Sequence, residues 1–135
     1  MRAVLDPNVL IAALLSPTSP PARLLVRWLA GDFELVVSPQ LLAELSRALA
    51  YPKLRTRISG DEATAFVDLL ARTASPATDP GDIPRRSRDP GDDYLIALAE
   101  RSAAVLVTGD SDLLVLKDLP VRSPAAFLAE LPPLP

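Results

Sequence analysis

The sequence predicts an α/β sandwich of three layers, in which helices cover both faces of a mostly parallel central sheet. Short and largely apolar runs at 3–5, 34–37 and 105–107 alternate along the chain with longer segments of helical periodicity. Strands that alternate with helices form parallel sheets, and strands without polar alternation are buried on both faces of such sheets. We therefore place these runs in the middle of the sheet.

Several helix starts follow from capping residues and prolines. A cap stands directly before a proline at Ser38-Pro39, Asp89-Pro90 and Ser123-Pro124, and proline is tolerated at the first helical position. The stretch from Ser59 to Glu62 has the spacing of a capping box. The helix after Asp89 is apolar all round over 94–99, which predicts that it is buried within the layers.

The remaining segments are assigned from composition and turn residues. They are a helix over 8–15 capped by Asn8, a loop over 16–21, a helix over 22–30, a basic connector over 53–57, a loop over 75–89 with a very short strand near 77–78, and an edge strand over 120–122.

The composition predicts one domain and limits its chemistry. A chain of 135 residues can bury a hydrophobic core, and we expect the domain to span 1–131 with a frayed tail over 132–135. The sequence contains neither cysteine nor histidine, which excludes disulfides, thiolate or imidazole zinc sites and Ser-His-Asp triads. Carboxylates remain as the main candidates for acid–base or metal chemistry.

The charge and hydropathy of the chain predict its surroundings. The sequence has no signal-peptide pattern and no apolar run of membrane-spanning length, so we expect a soluble, cytoplasmic protein with no membrane contact. A net charge of −3 argues against nucleic-acid binding. That argument weakens if several acids surround a divalent cation, because a separate basic surface can still meet phosphates.

Acidic residues follow several predicted strand ends and helix starts. The carboxyl ends of parallel strands share one edge of a sheet, where ligands bind. Taken alone, each aspartate is explained by helix capping or the helix dipole, and Glu44 by a side chain that reaches solvent. Their convergence on one edge is not explained in that way. The acids concerned are Asp6, Glu44, Asp92, Asp93, Asp110 and Asp112.

Crowded carboxylates repel each other and either raise some pKa values or bind a cation. Oxygen ligands without histidine or cysteine favour Mg²⁺ or Mn²⁺. Such clusters commonly serve phosphoryl chemistry, in which a metal ion activates water and stabilises the leaving oxygen. The expected substrate is a phosphoester.

Four segments in order resemble the PIN-domain family, in particular the toxins of toxin–antitoxin pairs. They are LDPNVLIAALLSP near the start, ELVVSPQLLAEL, RDPGDDYLIALA and VTGDSDLL. The resemblance runs nearly from one end of the chain to the other. The resemblance implies an α/β/α sandwich and a Mg²⁺- or Mn²⁺-dependent ribonuclease, with an RNA substrate and a cognate antitoxin protein as partners. We also predict a homodimer.

Arg85, Arg86 and Arg88 directly precede the acidic helix start in an otherwise acidic chain, so they are candidates for contact with RNA phosphates. The resemblance assigns roles to the other residues. Asp93 is preferred over Asp92 because it directly precedes YLIALA. The catalytic acids are Asp6, Glu44, Asp93 and Asp110, which are also metal ligands together with Asp112, and Asn8, Thr108 and Asp92 have supporting roles.

Two alternatives remain open on the sequence. One is another acidic α/β enzyme, such as a phosphatase or a phospho-accepting receiver domain, although the first strand is followed by DPNVL and not by DxDxT. The other is a PIN fold that binds RNA or a partner protein without cutting. This second alternative depends on Pro7, because the family usually has Thr or Ser there and proline offers neither a hydroxyl nor a backbone N–H.

Overall fold

The central sheet consists of parallel strands. The computed structural model describes residues 1–87, 89–116 and 119–133. Within these ranges the sheet has the strand order β3-β2-β1-β4-β5, and every neighbouring pair is parallel. The strands are β1 (Arg2–Leu5), β2 (Glu34–Val37), β3 (Ser75–Pro76), β4 (Val105–Val107) and β5 (Val121–Arg122). The predicted fold class is confirmed.

Helices connect the strands and pack on the sheet. The residues of β1 from Ala3 to Leu5 are buried, as expected for the central strand of a sheet covered on both faces. The described helices are α1 (Pro7–Leu15), α2 (Pro20–Leu29), α3 (Pro39–Leu49), α4 (Pro52–Arg55), α5 (Gly60–Thr73), α6 (Pro90–Arg101), α7 (Ser111–Leu114) and α8 (Pro124–Glu130). In α6 every residue from Tyr94 to Ala99 is buried, which confirms the prediction of an enclosed helix.

The predicted caps are present, with one exception. The side chains of Ser38, Asp89 and Ser123 each accept a hydrogen bond from a first-turn N–H, and both halves of the capping box at Ser59 are formed. The exception is Asn8, which was predicted to cap the first helix. Asp6 caps it instead, because the helix begins at Pro7 and the Asp6 carboxylate accepts from the N–H of Asn8 at 2.9 Å.

Other differences concern short elements. The second helix begins at Pro20, two residues before the predicted start, because Ser19 acts as its cap. The basic connector contains the short helix α4, and the very short strand lies at 75–76 instead of 77–78. In the predicted frayed tail, the Pro132 carbonyl accepts a hydrogen bond from the buried guanidinium of Arg27, while residues 134–135 lie outside the described part of the chain.

No single helix in the described ranges is long and apolar enough to cross a membrane. Within the described ranges, only α1 and α2 taken together have the length and composition of a membrane-spanning segment, and the two helices meet at an angle of 98°. Most residues of α1 are buried against the sheet or neighbouring helices.

A buried hydrogen-bond network joins α3, α6 and the loop that precedes α6. The Tyr94 hydroxyl donates to Asp79 Oδ1 at 2.6 Å and is hydrogen-bonded to Ser38 Oγ. Asp79 Oδ2 also accepts from the Gln40 N–H at 3.1 Å. Burial acts to raise the pKa of Asp79, but the hydrogen bonds from Ser38, Tyr94 and Gln40 outweigh it and hold the pKa below its ordinary value. The network sets the position of α3 relative to α6.

We predict that Tyr94→Phe destabilises the fold by about 1–3 kcal/mol, because it removes a hydrogen bond to a charged carboxylate from a fully buried ring. Denaturant unfolding at pH 7 measures the effect. The matched control is Tyr51→Phe, since Tyr51 is exposed and caps α4 without a side-chain hydrogen bond. Equal stability of the Tyr94→Phe and wild-type proteins would mean that the network does not support the fold.

Candidate functional site

A cleft of about 600 Å³ lies at the carboxyl ends of the two central strands β1 and β4. Segments that are distant in sequence meet there, as expected at this edge of a parallel sheet. Four carboxylates line the cleft: Asp6 after β1, Glu44 on α3, Asp92 on α6 and Asp110 after β4. The carboxylate of Asp89, which caps α6, is the fifth. The lining residues are Asp6, Pro7, Asn8, Glu44, Ala48, Asp89, Gly91, Asp92, Leu95, Thr108, Gly109 and Asp110.

Asp6 forms the floor of this cleft and is held in a single orientation. Its Oδ1 accepts from the Asn8 N–H at 2.9 Å, and its Oδ2 accepts from the Thr108 hydroxyl at 3.0 Å. The side chain is almost completely buried, and burial raises its pKa. The two hydrogen bonds oppose this rise, whereas the charge of Asp110 adds to it.

Thr108 connects Asp6 to Asp110. Its hydroxyl donates to Asp6 and accepts from the Asp110 N–H at 3.1 Å, so the ends of β1 and β4 are tied together. This contact bears on Pro7, which has no hydroxyl of its own. The hydroxyl that orients Asp6 in this chain comes from Thr108, on the neighbouring strand end.

Asp92 faces the same cleft. Its pKa is raised to about 6, first by burial and then by the negative charges of Asp110, Asp89 and Asp6. A hydrogen bond with the Asp110 side chain acts in the same direction. The carboxylates of Asp6, Asp92 and Asp110 therefore repel one another across the cleft.

The structure places Asp92, and not Asp93, with Asp6 and Asp110. Successive residues of a helix are rotated by about 100°, so two adjacent acids cannot share one direction. Asp93 is only 1% exposed and points into the preceding loop. Its Oδ1 accepts from the N–H groups of Arg86 and Ser87 at 2.9 and 2.7 Å and from the Ser87 hydroxyl at 2.7 Å.

The environment of Asp93 lowers its pKa. Burial alone acts to raise the pKa, but the hydrogen bonds from Ser87 and Arg86 and the charge of Arg85 outweigh it. The Arg85 Nε lies 3.1 Å from Asp93 Oδ2. Asp93 therefore anchors the loop as a carboxylate. The signal in the sequence that favours Asp92 over Asp93 is helical spacing. Asp92 and Leu95 lie three residues apart on one face of α6, and both line the cleft.

Glu44 is half-buried on α3 and lines the cleft one turn before Ala48. Its Oε1 accepts from the Gln40 side chain at 3.4 Å. On α3 it borders the buried stripe of Leu41, Leu45 and Leu49, and such a border faces either solvent or a crevice. In the structure Glu44 faces the crevice.

Asp112 lies outside this cleft. It is exposed and lines an adjacent cleft of about 470 Å³, which shares Asp89, Asp92 and Asp110 with the first and includes Arg86. Asp110 Oδ1 accepts from the Asp112 N–H at 2.9 Å, so Asp110 also caps α7. The sequence analysis did not assign Asp89 to the site, although its position three residues before Asp92 brings it to the same cleft.

The described arginines of the run 85–88 bind acids of their own chain. Arg85 forms an ion pair with Asp93, and Arg86 forms one with Glu100. Arg88 lies outside the described residues. Arg86 nevertheless borders the adjacent acidic cleft.

The metal-binding atoms available in the cleft are of the type that a hard divalent cation prefers. They are carboxylate, hydroxyl and amide oxygens, and the raised pKa of Asp92 reflects negative charge that a cation would neutralise. In the arrangement of the described side chains, no group of three or more acids is close enough to hold an ion. The contacts between acids are pairwise, and binding of an ion requires the carboxylates to move toward it.

Comparison with known proteins identifies the class of this fold and site. The sequence profile of the PIN domain matches residues 2–112. The chain belongs to the PIN-domain family.

The chain is also similar to individual proteins in sequence or in fold. The chain is similar to the uncharacterized protein MJ1680 of Methanocaldococcus jannaschii, with 28% identity over 141 residues that cover 96% of this chain and 91% of that protein. Its fold is similar to VapBC2 from Rickettsia felis bound to a promoter DNA fragment, at a TM-score of 0.64, 16% identity and coverage of 91% and 98%. It is also similar to PAE2754 from Pyrobaculum aerophilum, at a TM-score of 0.66, 19% identity and coverage of 96% and 88%.

We predict opposite effects on metal-free stability for Asp92→Asn and Asp93→Asn. The pKa of Asp92 is raised in the folded protein, so its contribution to stability is complete below pH 4 and is lost as the pH rises through about 6. Asp92→Asn removes this loss. The variant should therefore be at least as stable as the wild type at pH 7.5. The pKa of Asp93 is lowered, so its contribution is present at neutral pH and is lost in acid. Asp93→Asn should cost about 2 kcal/mol or more at pH 7.5.

Denaturant unfolding in EDTA at pH 4.5, 6 and 7.5 measures both effects. The two positions are adjacent and the substitutions are identical, so each variant is a control for the other. A loss of stability for Asp92→Asn that equals that of Asp93→Asn would contradict the assignment of Asp92 to the cleft.

Proposed function

We propose that the protein is a Mg²⁺- or Mn²⁺-dependent ribonuclease that hydrolyses phosphodiester bonds in the acidic cleft. The observation that carries this proposal is the meeting of Asp6, Asp92 and Asp110, from three separate segments, in one cleft at the carboxyl edge of the sheet. Membership of the PIN-domain family and the absence of histidine and cysteine support it.

Asp6, Asp92 and Asp110 would hold the metal, together with Glu44, which lines the same cleft. A bound divalent cation supplies an activated water and stabilises the leaving oxygen of the phosphodiester. Metal affinity follows from charge, since the ion replaces the repulsion among the acids with attraction. This assignment replaces Asp93 with Asp92 in the proposed metal set.

Other residues of the chain prepare this cleft. Thr108 fixes the direction of Asp6, and the network of Ser38, Tyr94 and Asp79 sets α3, which carries Glu44, relative to α6, which carries Asp92. Asp93 anchors the loop before α6. Asn8 is exposed at the rim of the cleft, where its amide can contact the substrate.

We further propose that the chain is the toxin of a toxin–antitoxin pair, with a cognate antitoxin protein as partner and a homodimer as its assembly in the cytoplasm. The support is the resemblance of the four sequence segments and the fold shared with VapBC-1 from nontypeable Haemophilus influenzae, at a TM-score of 0.63, 17% identity and coverage of 93% and 99%. The antitoxin would hold the nuclease inactive until it is released.

We predict that millimolar Mn²⁺ or Mg²⁺ raises the melting temperature relative to EDTA, because binding to the native state alone stabilises it by mass action. The rise should be smaller in Asp92→Asn and Asp110→Asn, which each lack one negative charge. Thermal unfolding with and without metal measures it. The same melting temperature in both conditions, together with no heat of binding in calorimetry, would exclude a metal site in the cleft.

We predict that Asp6→Asn, Asp92→Asn and Asp110→Asn each reduce RNA cleavage by about 100-fold or more, while a double variant loses little beyond the single ones, as expected for residues that act as one unit. At the partly exposed Asp92 and Asp110, asparagine keeps the size and capping ability of aspartate, so the loss there reports the charge and not the fold. Single-turnover cleavage of a single-stranded RNA, and of the DNA of the same sequence, measures the effect with Mn²⁺ and with EDTA.

The matched control is Asp61→Asn, since Asp61 is an exposed acid in the first turn of α5. Full activity of Asp92→Asn and Asp110→Asn would contradict the mechanism. Metal-independent binding of RNA without cleavage by the wild-type protein would favour the alternative of a PIN fold that binds without cutting.

A further inference from the structure

One aromatic side chain differs from all others in the chain. The six aromatic residues all lie in the described ranges, and Tyr51 is 66% exposed. The others are buried: Trp28, Phe33, Phe66, Tyr94 and Phe127. Tyr51 is therefore the one aromatic ring of the chain that a ligand can reach without a change in the core.

Tyr51 directly follows the helix that carries one side of the cleft. Glu44 and Ala48 lie one turn apart on α3 and both line the cleft. The helix ends at Leu49, and the Tyr51 N–H donates to the Ala48 carbonyl at 3.2 Å. At 1.5 Å per residue, Tyr51 lies about 10 Å beyond Glu44 in the direction of the helix axis.

The segment around Tyr51 is basic. Between positions 45 and 60 the sequence has four cations and no acid. All four are exposed, and none of them forms an ion pair with a carboxylate within the described residues. They are Arg47, Lys53, Arg55 and Arg57. The described members of the run 85–88 differ from these, since each is paired with an acid of its own chain.

Arg57 brings this basic segment back toward α1. Its Nη2 donates to the Leu15 carbonyl at 3.1 Å. Leu15 is the last residue of α1, and the first turn of this helix carries Asn8 at the cleft. The carbonyl of Tyr51 accepts from the N–H groups of Leu54 and Arg55, which fixes the start of α4 at Tyr51. Tyr51 and Arg57 therefore lie at the last residues of α3 and α1, the two helices whose earlier residues line the cleft.

An exposed aromatic ring near cations that form no ion pair within the described residues matches the chemistry of a single nucleic-acid strand. Bases stack on aromatic rings irrespective of sequence, and phosphates bind lysine and arginine. Aromatic and arginine residues are also common in protein interfaces. Four charges of one sign on an otherwise acidic protein, next to a cleft proposed to cut a phosphodiester, favour the polyanion over a protein partner.

We propose that the surface formed by Tyr51 and the basic residues of 47–57 binds the single-stranded nucleic acid next to the cleft. Tyr51 stacks on a base, and Arg47 and Arg57 contact phosphates on either side of it. This proposal rests on the proposed nuclease function, since it assigns the path of that substrate. It assigns the phosphate contacts to this surface in place of the arginine run 85–88.

The test measures binding separately from cleavage. A 5′-fluorescein-labelled single-stranded RNA is titrated with the full-length Asp110→Asn protein in Mg²⁺, and anisotropy gives the affinity. In this background Tyr51→Ala should weaken binding by roughly 5- to 100-fold, from about 1–3 kcal/mol per stacked base at 1.4 kcal/mol per tenfold change. Tyr51→Trp should keep the affinity. Val26→Ala is the matched control, because Val26 is an exposed apolar residue on α2.

Salt dependence tests the cations. Arg47→Ala and Arg57→Ala should each weaken binding and reduce the slope of log affinity against log salt by about 0.7, the value for one phosphate of a single strand. The control is Arg72→Ala, since Arg72 is exposed beside Thr73, which lies with Met1 and Glu34 at the amino ends of β1 and β2. Its slope should equal that of the background protein.

The outcomes separate this proposal from the proposed nuclease function. Tyr51→Ala with unchanged affinity, in a protein whose wild type cleaves RNA, would overturn the binding surface and leave the nuclease standing. Tyr51-dependent binding in a wild-type protein that cleaves nothing would support the surface and contradict the nuclease. A Tyr51→Ala variant that changes only the sedimentation of the protein, and not its RNA affinity, would assign the ring to a protein interface and overturn the proposal.

Discussion

The hydrogen bond from Thr108 to Asp6 is the contact on which the site depends. It joins the ends of the two central strands and holds a nearly buried carboxylate in place at the floor of the cleft. A buried carboxylate is costly unless hydrogen bonds satisfy it, and Asp6 receives two. The same threonine accepts from the Asp110 N–H. One side chain thereby positions two of the proposed metal ligands.

Asp92 and Asp93 illustrate how neighbouring residues acquire different roles. Burial acts to raise the pKa of both. Asp93 receives hydrogen bonds from a loop and the charge of an arginine, so it stays ionised and supports the structure. Asp92 faces other acids, so its pKa rises and a cation would stabilise it. The difference arises because successive side chains of a helix point in directions about 100° apart.

The distribution of charge explains how an acidic protein can meet a nucleic acid. Arginines near the proposed metal site, such as Arg85 and Arg86, neutralise acids of the same chain. The cations after α3 have no such ion-pair partners among the described residues and surround an exposed tyrosine. The net charge of −3 therefore describes the whole chain but not its local surfaces.

The sequence alone determined the layered fold, most of the helix starts and the gathering of acids at one edge of the sheet. These features follow from local rules, since apolar runs, caps and the common direction of parallel strands need no knowledge of distant contacts. Asp6, Glu44 and Asp110 were predicted at the site in this way and line the cleft. The choice between Asp92 and Asp93 required the tertiary structure, because the direction of each side chain depends on which face of α6 meets the sheet and on the loop that binds Asp93. The pairing of the arginines and the exposure of Tyr51 were decided there as well, because each depends on how a loop packs against its neighbours in the folded chain.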